Sequence, residues 1–422
     1  MTDRPRLLLL MTTSTYKAEA FVTAAARCGV ALTVGTDRPQ ALAAADPQGH
    51  LVLPFGESRR AVAKIAAFAR RTRIDGVLAA DDDGVLLAAE AAAALGLRHA
   101  PAEAVRRLRF KHLFRRAVSE AGLPSARWRL LAPGEDAARA ARRLTFPVVV
   151  KPVALSASRG VVRADDPAGF VRAVSRIRAL LNRAELSAGR QPLLVESYLD
   201  GPEVALEGVV RRGRLRTLAL FDKPRAGQGP FFEESIYVLP SGLTAEAQEG
   251  CRLAVERALG AVGFHTGNVH AELRIVGGLP HVIEIAPRSI GGLCSRVVRF
   301  RPGGTPLEEL VIRSALGMDV EGFEPEPGAR GVMMIPIPAP GILRGWTGEA
   351  KARLEPGIEG VRITVPPGAE LEPPPEGDRY LGFLFARGAS PPDVVRSLER
   401  AHSCLRFEIE PLRRGQAAAG MP

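Results

Sequence analysis

At 422 residues, with 46% hydrophobic and 24% charged side chains, the sequence has room for two or three domains with cores of their own. Its net charge of +11 is spread along Ala-rich stretches such as 102–116 and 137–143, and aromatics make up only 5%, which argues against a nucleic-acid binder and leaves a positive field suited to small anionic substrates. The cysteines Cys28, Cys251, Cys294 and Cys404 form no CxxC pair, no apolar run approaches the ~20 residues of a membrane span, and no signal-peptide pattern follows the run at 7–11; the reading is a cytoplasmic protein without a zinc site or disulfide framework.

The apolar run 6–11 has a buried-strand pattern, and a helical pattern over 18–28 ends at Gly29. Short strands are expected at 31–35 and 51–53, a helix at 61–71, a strand at 76–80 and an Ala-rich helix at 85–95. This alternation predicts a doubly wound parallel sheet over the first hundred residues, with ligands beyond the carboxyl ends of its strands. Asp81, Asp82 and Asp83 follow the last of those strands and either face that crevice or cap the next helix. A single helix is expected over 103–121, short β-rich segments from 146 to 220, a helix over 246–259 and a hairpin from 268 to 286. Pro and Gly thicken from 322 to 340, where a boundary is expected, and the last hundred residues, with strands at 331–337, 360–365 and 379–386 and a helix at 392–402, predict an α+β region. The domain boundaries read this way are 1–100, 101–320 and 321–422.

The sequence contains only six lysines, Lys17, Lys64, Lys111, Lys151, Lys223 and Lys351, and every other basic side chain except histidine is arginine. A lysine that survives in such a chain marks a place where a compact ammonium is needed. Lys151 closes the apolar run 146–150, which is costly unless an anion meets it. The loop Ser156-Ala157-Ser158-Arg159-Gly160 is small and hydroxyl-rich, able to wrap phosphates with N–H and hydroxyl groups. A strand at 192–197 then runs through Glu196, Tyr198 and Leu199 into a turn, a hinge whose backbone can pair with a purine edge and which leaves Glu203 placed for ribose hydroxyls. Over 268–275, Val269, Ala271, Leu273 and Ile275 alternate with Asn268, His270, Glu272 and Arg274, and Gly277 and Gly278 make a turn. About that turn Glu272 and Glu284 fall almost opposite one another. Like charges ~5 Å apart on one face repel, and a divalent cation such as Mg²⁺ removes the repulsion.

The strand lysine, the loop, the hinge and the acidic hairpin, in this order, resemble the ATP-grasp superfamily over nearly the whole chain. The resemblance implies α/β and α+β architecture: an N-terminal doubly wound parallel α/β domain, an ATP-grasp domain of two α+β subdomains, and a C-terminal α+β domain. It also implies ATP with Mg²⁺, or Mn²⁺ in its place. Carried over, Lys111 in Arg109-Phe110-Lys111 and Lys151 hold the α- and β-phosphates, and Ser156, Ser158, Arg159 and Gly160 form the phosphate loop. Glu196 reaches the adenine amino group beside the Tyr198 and Leu199 backbone, and Glu203 takes the ribose. Glu272 and Glu284 hold the metal, and Arg288 stabilises the transferring phosphoryl group. The sequence departs from the family at Ala157, where relatives often have Gly. It departs again at Ala286 in Glu284-Ile285-Ala286-Pro287-Arg288, where Glu-x-Asn-x-Arg is usual and the asparagine is a metal ligand.

Two further runs, Phe221-Asp222-Lys223-Pro224 continuing to 229–235, and 377–388 beginning Gly377-Asp378-Arg379-Tyr380, resemble the L-amino acid ligase group within that superfamily. This implies a small-molecule carboxylate activated as an acyl phosphate and attacked by an amine, with ADP and phosphate released. Lys223, Glu234, His270 and Arg296 are the candidates for the substrate and phosphate pocket. A biotin-carboxylase-like enzyme is the alternative, against which stand a phosphate loop that is not a run of glycines and the lack of a biotinyl-carrier segment. A non-catalytic nucleotide-binding protein is another. Neither nucleic acid nor membrane is expected as a partner, and a homodimer is left open.

Overall fold

The structure, a computed structural model, describes residues 4–39, 48–183, 191–226, 229–232 and 235–412. Its contacts divide the chain into two compact units, each assembled from separate stretches: Met1–Ser125, Val204–Leu220 and Leu243–Pro327 make the first, and Ala126–Glu203, Phe221–Gly242 and Gly328–Pro422 the second.

The first unit opens with a parallel sheet whose strands lie in the order His50–Val52, Ala31–Thr36, Arg6–Met11, Gly76–Ala79. Arg6–Met11 is central, and Leu7, Leu8, Leu9 and Leu10 are fully buried, as a strand covered on both faces requires. Helices Ala18–Arg27 and Ser58–Ala69 connect strands of the sheet, and Val85–Ala94 follows its last strand. The strand order reverses beside Arg6–Met11, so the crevice beyond its carboxyl end and that of Gly76–Ala79 is the switch point where such folds bind ligands. Residues 12–17 and Asp81 to Asp83 follow these two strand ends.

The expected helix over 103–121 is in fact two, Ala102–Arg109 and Lys111–Glu120, broken at an extended Phe110 (φ −105°, ψ 107°). The buried stripe explains the break. Ala104, Val105 and Leu108 face the core in the first helix, and an unbroken helix would bring the polar Lys111 and His112 round next. Restarting after Phe110 buries Phe114, Ala117 and Val118 instead and leaves Lys111 as the first residue of a helix. The same unit holds the hydrogen-bonded strand series Leu279–Ala286, Thr266–Val276, Glu203–Arg211 (from Val204 on) and Arg214–Asp222 (up to Leu220), backed by helix Ala245–Val262, with Thr244 as its N-cap and left-handed Gly263 (φ +80°) ending it.

The second unit contains an antiparallel sheet ordered Trp128–Leu131, Leu193–Ser197, Val148–Pro152, Val162–Ala164. Helix Pro167–Arg183 packs on it. This helix lies where only short β-rich segments were expected. Asp166 caps it by accepting from Gly169 N (2.7 Å), Pro167 opens it, and Phe170, Ala173, Val174, Ile177, Leu180 and Leu181 form its buried stripe. A second series, Ile236–Leu239, Ala329–Ile335, Gly382–Gly388 and Ile358–Ile363, is antiparallel throughout and packs against helix Pro391–Cys404. The last three strands and the helix lie within a few residues of those expected there, while Ile236–Leu239 is a strand that was not expected.

Candidate functional site

The acidic hairpin of the first unit turns at Gly277 and Gly278, both left-handed (φ +56° and +81°). From that turn the ladder pairs Val276 with Leu279 and Leu273 with Val282. Continued without interruption it would set Glu272 across from Ile283 and Glu284 across from Ala271, with the two carboxylates on opposite faces. A bulge between Glu272 and Leu273 changes this. Ile283 becomes the extra residue, Glu272 pairs directly with Glu284, and His270 with Ala286. The bulge therefore creates the carboxylate pair. Lys111, first residue of its helix, brings Nζ to 3.3 Å from Glu284 Oε2. Arg115, one turn further along that helix and 1% exposed, donates from Nη1 to the Val282 carbonyl (2.8 Å) and from Nη2 to the Ile283 carbonyl (2.7 Å).

After the hairpin, residues 288–292 are held by four side chains from elsewhere in the unit. Arg288 Nη2 donates to Asp82 Oδ2 (2.9 Å) and Nη1 to the Ser289 carbonyl (3.0 Å). Lys17 Nζ donates to the same Ser289 oxygen (3.0 Å) and to the Ala80 carbonyl (2.9 Å). Ile290 N donates to Glu207 Oε2 (3.0 Å), and Gly292 N to the Tyr16 hydroxyl (2.7 Å). The helix Val85–Ala94 starts from Gly84 without a side-chain cap, so the aspartates before it do not serve as its caps. Asp81 instead accepts from Thr15 Oγ1 (3.0 Å), Asp82 holds Arg288, and Asp83 lies 3.9 Å from Arg109.

The electrostatics follow from burial and pairing. Burial works against the Asp82 charge, but the adjacent Arg288 guanidinium prevails and holds the carboxyl well below the usual range. Burial likewise opposes the Arg288 charge, and Asp82 more than offsets it. Burial, followed by the nearby Arg288, pushes the Lys17 ammonium down to about 8. Burial raises the Glu207 carboxyl against the pull of His270, whose Nδ1 is 3.3 Å away, and among the described residues Glu207 Oε1 has no hydrogen-bond partner. His270 Nε2 is 3.9 Å from Glu272 Oε1.

In the second unit two buried lysine–glutamate pairs stand out. Lys151, 3% exposed at the end of Val148–Pro152, lies 2.6 Å from Glu196 on the neighbouring strand. Lys223 pairs with Glu203, and its Nζ is 5.0 Å from the Tyr237 ring centre. Of the nucleotide residues read from the sequence, Lys151 thus meets Glu196, while Glu203 meets Lys223, a candidate for the substrate pocket. The Tyr198 N–H donates to the Pro147 carbonyl (3.0 Å), and Arg163 stacks 4.1 Å over the Tyr198 ring. In the loop, Ala157 (φ +54°), Ser158 (φ +53°) and Gly160 (φ +72°) are left-handed. A Cβ on Gly160 would meet Pro152 Cγ at 2.8 Å, so glycine is required there. Gly160 N donates to the Pro375 carbonyl and Arg159 Nε to the Glu376 carbonyl (both 2.7 Å), and Arg176 binds the Glu376 carboxylate (2.5 and 2.7 Å).

Lys111, His270, Glu272, Glu284 and Arg288 thus fall in the first unit, and Lys151, the loop from Ser156 to Gly160, Glu196, Tyr198, Leu199, Glu203 and Lys223 in the second. Arg296 is exposed in the short turn Cys294–Val297 of the first unit. Glu234 lies outside the described residues. Among the described residues no group of three or more His, Cys, Asp or Glu is arranged to hold a metal. The Glu272 and Glu284 pair supplies oxygen donors only, a set that fits Mg²⁺ or Mn²⁺ completed by phosphate and water. Sequence reasoning missed Tyr16, Asp82 as the partner of Arg288, Arg115 and Glu207. It singled out Lys17 only as one of six lysines.

Three family models match the chain: an ATP-grasp N-terminal domain over residues 22–99, an ATP-grasp domain over 144–297 and an L-amino acid ligase C-terminal domain 2 over 333–410. Similar curated proteins include the alanine–anticapsin ligase of Bacillus subtilis, 26% identical over 48% of this chain and 46% of that protein. The D-alanine–D-alanine ligase of Aromatoleum aromaticum is 29% identical over 39% of this chain and 51% of that protein. The chain spans about half the length of these relatives. Among solved structures, L-amino acid ligase from Bacillus licheniformis superposes with a TM-score of 0.78 at 24% identity, covering 97% of this chain and 100% of that one. Phosphoribosylglycinamide synthetase from Anaerococcus prevotii superposes with a TM-score of 0.68 at 15% identity, covering the same shares. These likenesses establish the fold.

Proposed function

We propose that this chain, an ATP-grasp protein of L-amino-acid-ligase-like architecture, is an ATP-dependent ligase that joins the carboxylate of one small molecule, an amino acid, to the amine of another. The observation that carries the reading is the Glu272 and Glu284 pair, set face to face by the bulge, with Lys111 against Glu284 and Arg288 fixed in the same unit.

In this reading Glu272 and Glu284 hold a divalent cation, which supplies charge neutralisation at the phosphates of ATP. Lys151 and Lys111 meet the phosphates, and Glu196 and Glu203 the adenine and ribose. The Lys151 and Lys223 ammonium groups exchange their present carboxylate partners for, or share them with, the nucleotide. A carboxylate oxygen of the first substrate attacks the γ-phosphorus, and the bond to the β-phosphate bridging oxygen breaks with ADP as leaving group. Arg288, kept charged by Asp82, stabilises the charge developing on the transferring group. The amine of the second substrate then attacks the acyl carbon and expels phosphate. The chain contributes positioning and electrostatics rather than a covalent step.

The experiment is a screen of amino acids, singly and in pairs, for ATP-dependent phosphate release with Mg²⁺. Release that requires both a carboxylate and an amine is the expected result. Release driven by bicarbonate without any amine would replace the ligase with a carboxylase, and no release with any amino-acid pair or with bicarbonate would refute both.

A further inference from the structure

A strand bulge must dispose of the carbonyls it takes out of the ladder, and here one side chain does so. Arg115 is 1% exposed, and its two terminal nitrogens reach the carbonyls of Val282 and Ile283 at 2.8 and 2.7 Å. Val282 is the last residue paired before the register shifts by one, and Ile283 is the extra residue. A planar guanidinium with parallel donors fits two successive carbonyls, which an ammonium cannot bridge in the same way. The helix that carries Arg115 also carries Lys111 one turn earlier, on the same face, and Lys111 Nζ is 3.3 Å from Glu284 Oε2. One helix therefore both fixes the bulge and touches the carboxylate that the bulge turns over.

We propose that Arg115 is a positioning residue: by gripping the Val282 and Ile283 carbonyls it holds the extra residue Ile283 in the strand, and so keeps Glu284 on the same face as Glu272. Its importance to catalysis rests on the ligase reading above, but its effect on the register does not. Without the grip the hairpin relaxes toward the uninterrupted ladder from its Gly277 and Gly278 turn, in which Glu284 changes face and the cation site is lost while the strands remain paired. A buried arginine with only a structural role would lower stability when replaced and leave the register as it is.

The test compares wild type with R115K and R115M. Lysine retains the charge and most of the volume, and methionine fits the apolar surroundings without leaving a buried charge. Three quantities are read in each: melting temperature, the cross-strand register of the hairpin from a crystal structure or from inter-strand nuclear Overhauser contacts, and Mn²⁺ affinity by electron paramagnetic resonance in the presence of a non-hydrolysable ATP analogue. In a folded variant, the expected result is loss of the Glu272 and Glu284 pairing and at least a tenfold weaker Mn²⁺ site in both variants. Variants that keep the pairing, or bind Mn²⁺ within twofold of wild type, would overturn the proposal. An R115K protein that does not fold would also overturn it, in favour of a purely structural role. If wild type itself binds no Mn²⁺ with the analogue, the ligase reading fails, and the register measurement still decides the role of Arg115.

Discussion

The Lys151 and Glu196 pair gives a prediction that separates holding the fold from binding the nucleotide. The two side chains are 3% and 5% exposed and 2.6 Å apart, so Lys151→Met removes the cation and leaves a carboxylate buried without it. Breaking a buried pair from one side costs about 3–5 kcal/mol. For a unit of roughly 200 residues, where each kcal/mol moves the midpoint by about 2–4 °C, the single mutant should melt about 6–20 °C lower. Replacing both members, Lys151→Met with Glu196→Met, removes the stranded charge and should recover most of that loss, since well-packed apolar substitutes for a buried pair are often neutral or better. ATP binding should not recover. A charge-assisted phosphate contact is worth about 1.5–3 kcal/mol, a loss on the order of 10- to 100-fold in affinity. Scanning calorimetry reads the first effect and titration calorimetry with Mg²⁺ and ATP the second. A double mutant that binds ATP within twofold of wild type would confine the pair to a structural role. A double mutant as unstable as the single one would refute the argument from the stranded charge.

Three further outcomes follow from the same geometry. Glu284→Gln should leave the melting temperature within about 3 °C, because the carboxylate is partly exposed and its loss relieves the repulsion from Glu272 while giving up Lys111; turnover should fall on the order of a thousandfold, and normal turnover or outright unfolding would contradict the site. Ala157→Gly should keep ATP affinity within about threefold, whereas Ala157→Val, which resists the φ of +54°, should weaken it; equal affinities for the two would show that the left-handed loop is irrelevant to binding. Glu207 has its carboxyl raised by burial, so the folded protein holds a proton there that the unfolded chain releases above the ordinary range, and stability falls as pH rises past about 4.5; Glu207→Gln should therefore gain melting temperature relative to wild type at pH 7 more than at pH 4, and an equal difference at both would remove that linkage.

Much of the fold was legible because burial writes a local pattern. The run Leu7 to Leu10 is apolar without alternation because its strand is covered on both faces. The hairpin at 268–286 is marked by two consecutive glycines with alternating flanks. Helix Pro167–Arg183 carries its own signal, an Asp-Pro start and an apolar spacing, set between segments of strand-like composition. The break at Phe110 shows only when the apolar stripe is followed residue by residue and found to change phase. The site was less legible because its supports are remote in sequence. Arg288 meets Asp82 across 206 residues, Lys17 meets Ser289 across 272, and Arg115 reaches Ile283 across 168. No periodicity records such partners. The bulge is silent in the same way: an extra residue in a strand leaves composition and alternation nearly unchanged, yet here it decides which face Glu284 takes.

The central claim, that a substrate carboxylate is activated by phosphoryl transfer before an amine displaces it, is tested most directly by isotope transfer. An amino acid labelled with ¹⁸O in its carboxylate is supplied with ATP, Mg²⁺ and the amine partner found by the phosphate-release screen, and the released phosphate is analysed by mass spectrometry. Attack by the carboxylate on the γ-phosphorus leaves one labelled oxygen bridging to phosphorus, and breakdown of the acyl phosphate by the amine carries that oxygen into phosphate. The account predicts one ¹⁸O atom per phosphate released, in step with amide formed. Phosphate free of label during amide formation would contradict it.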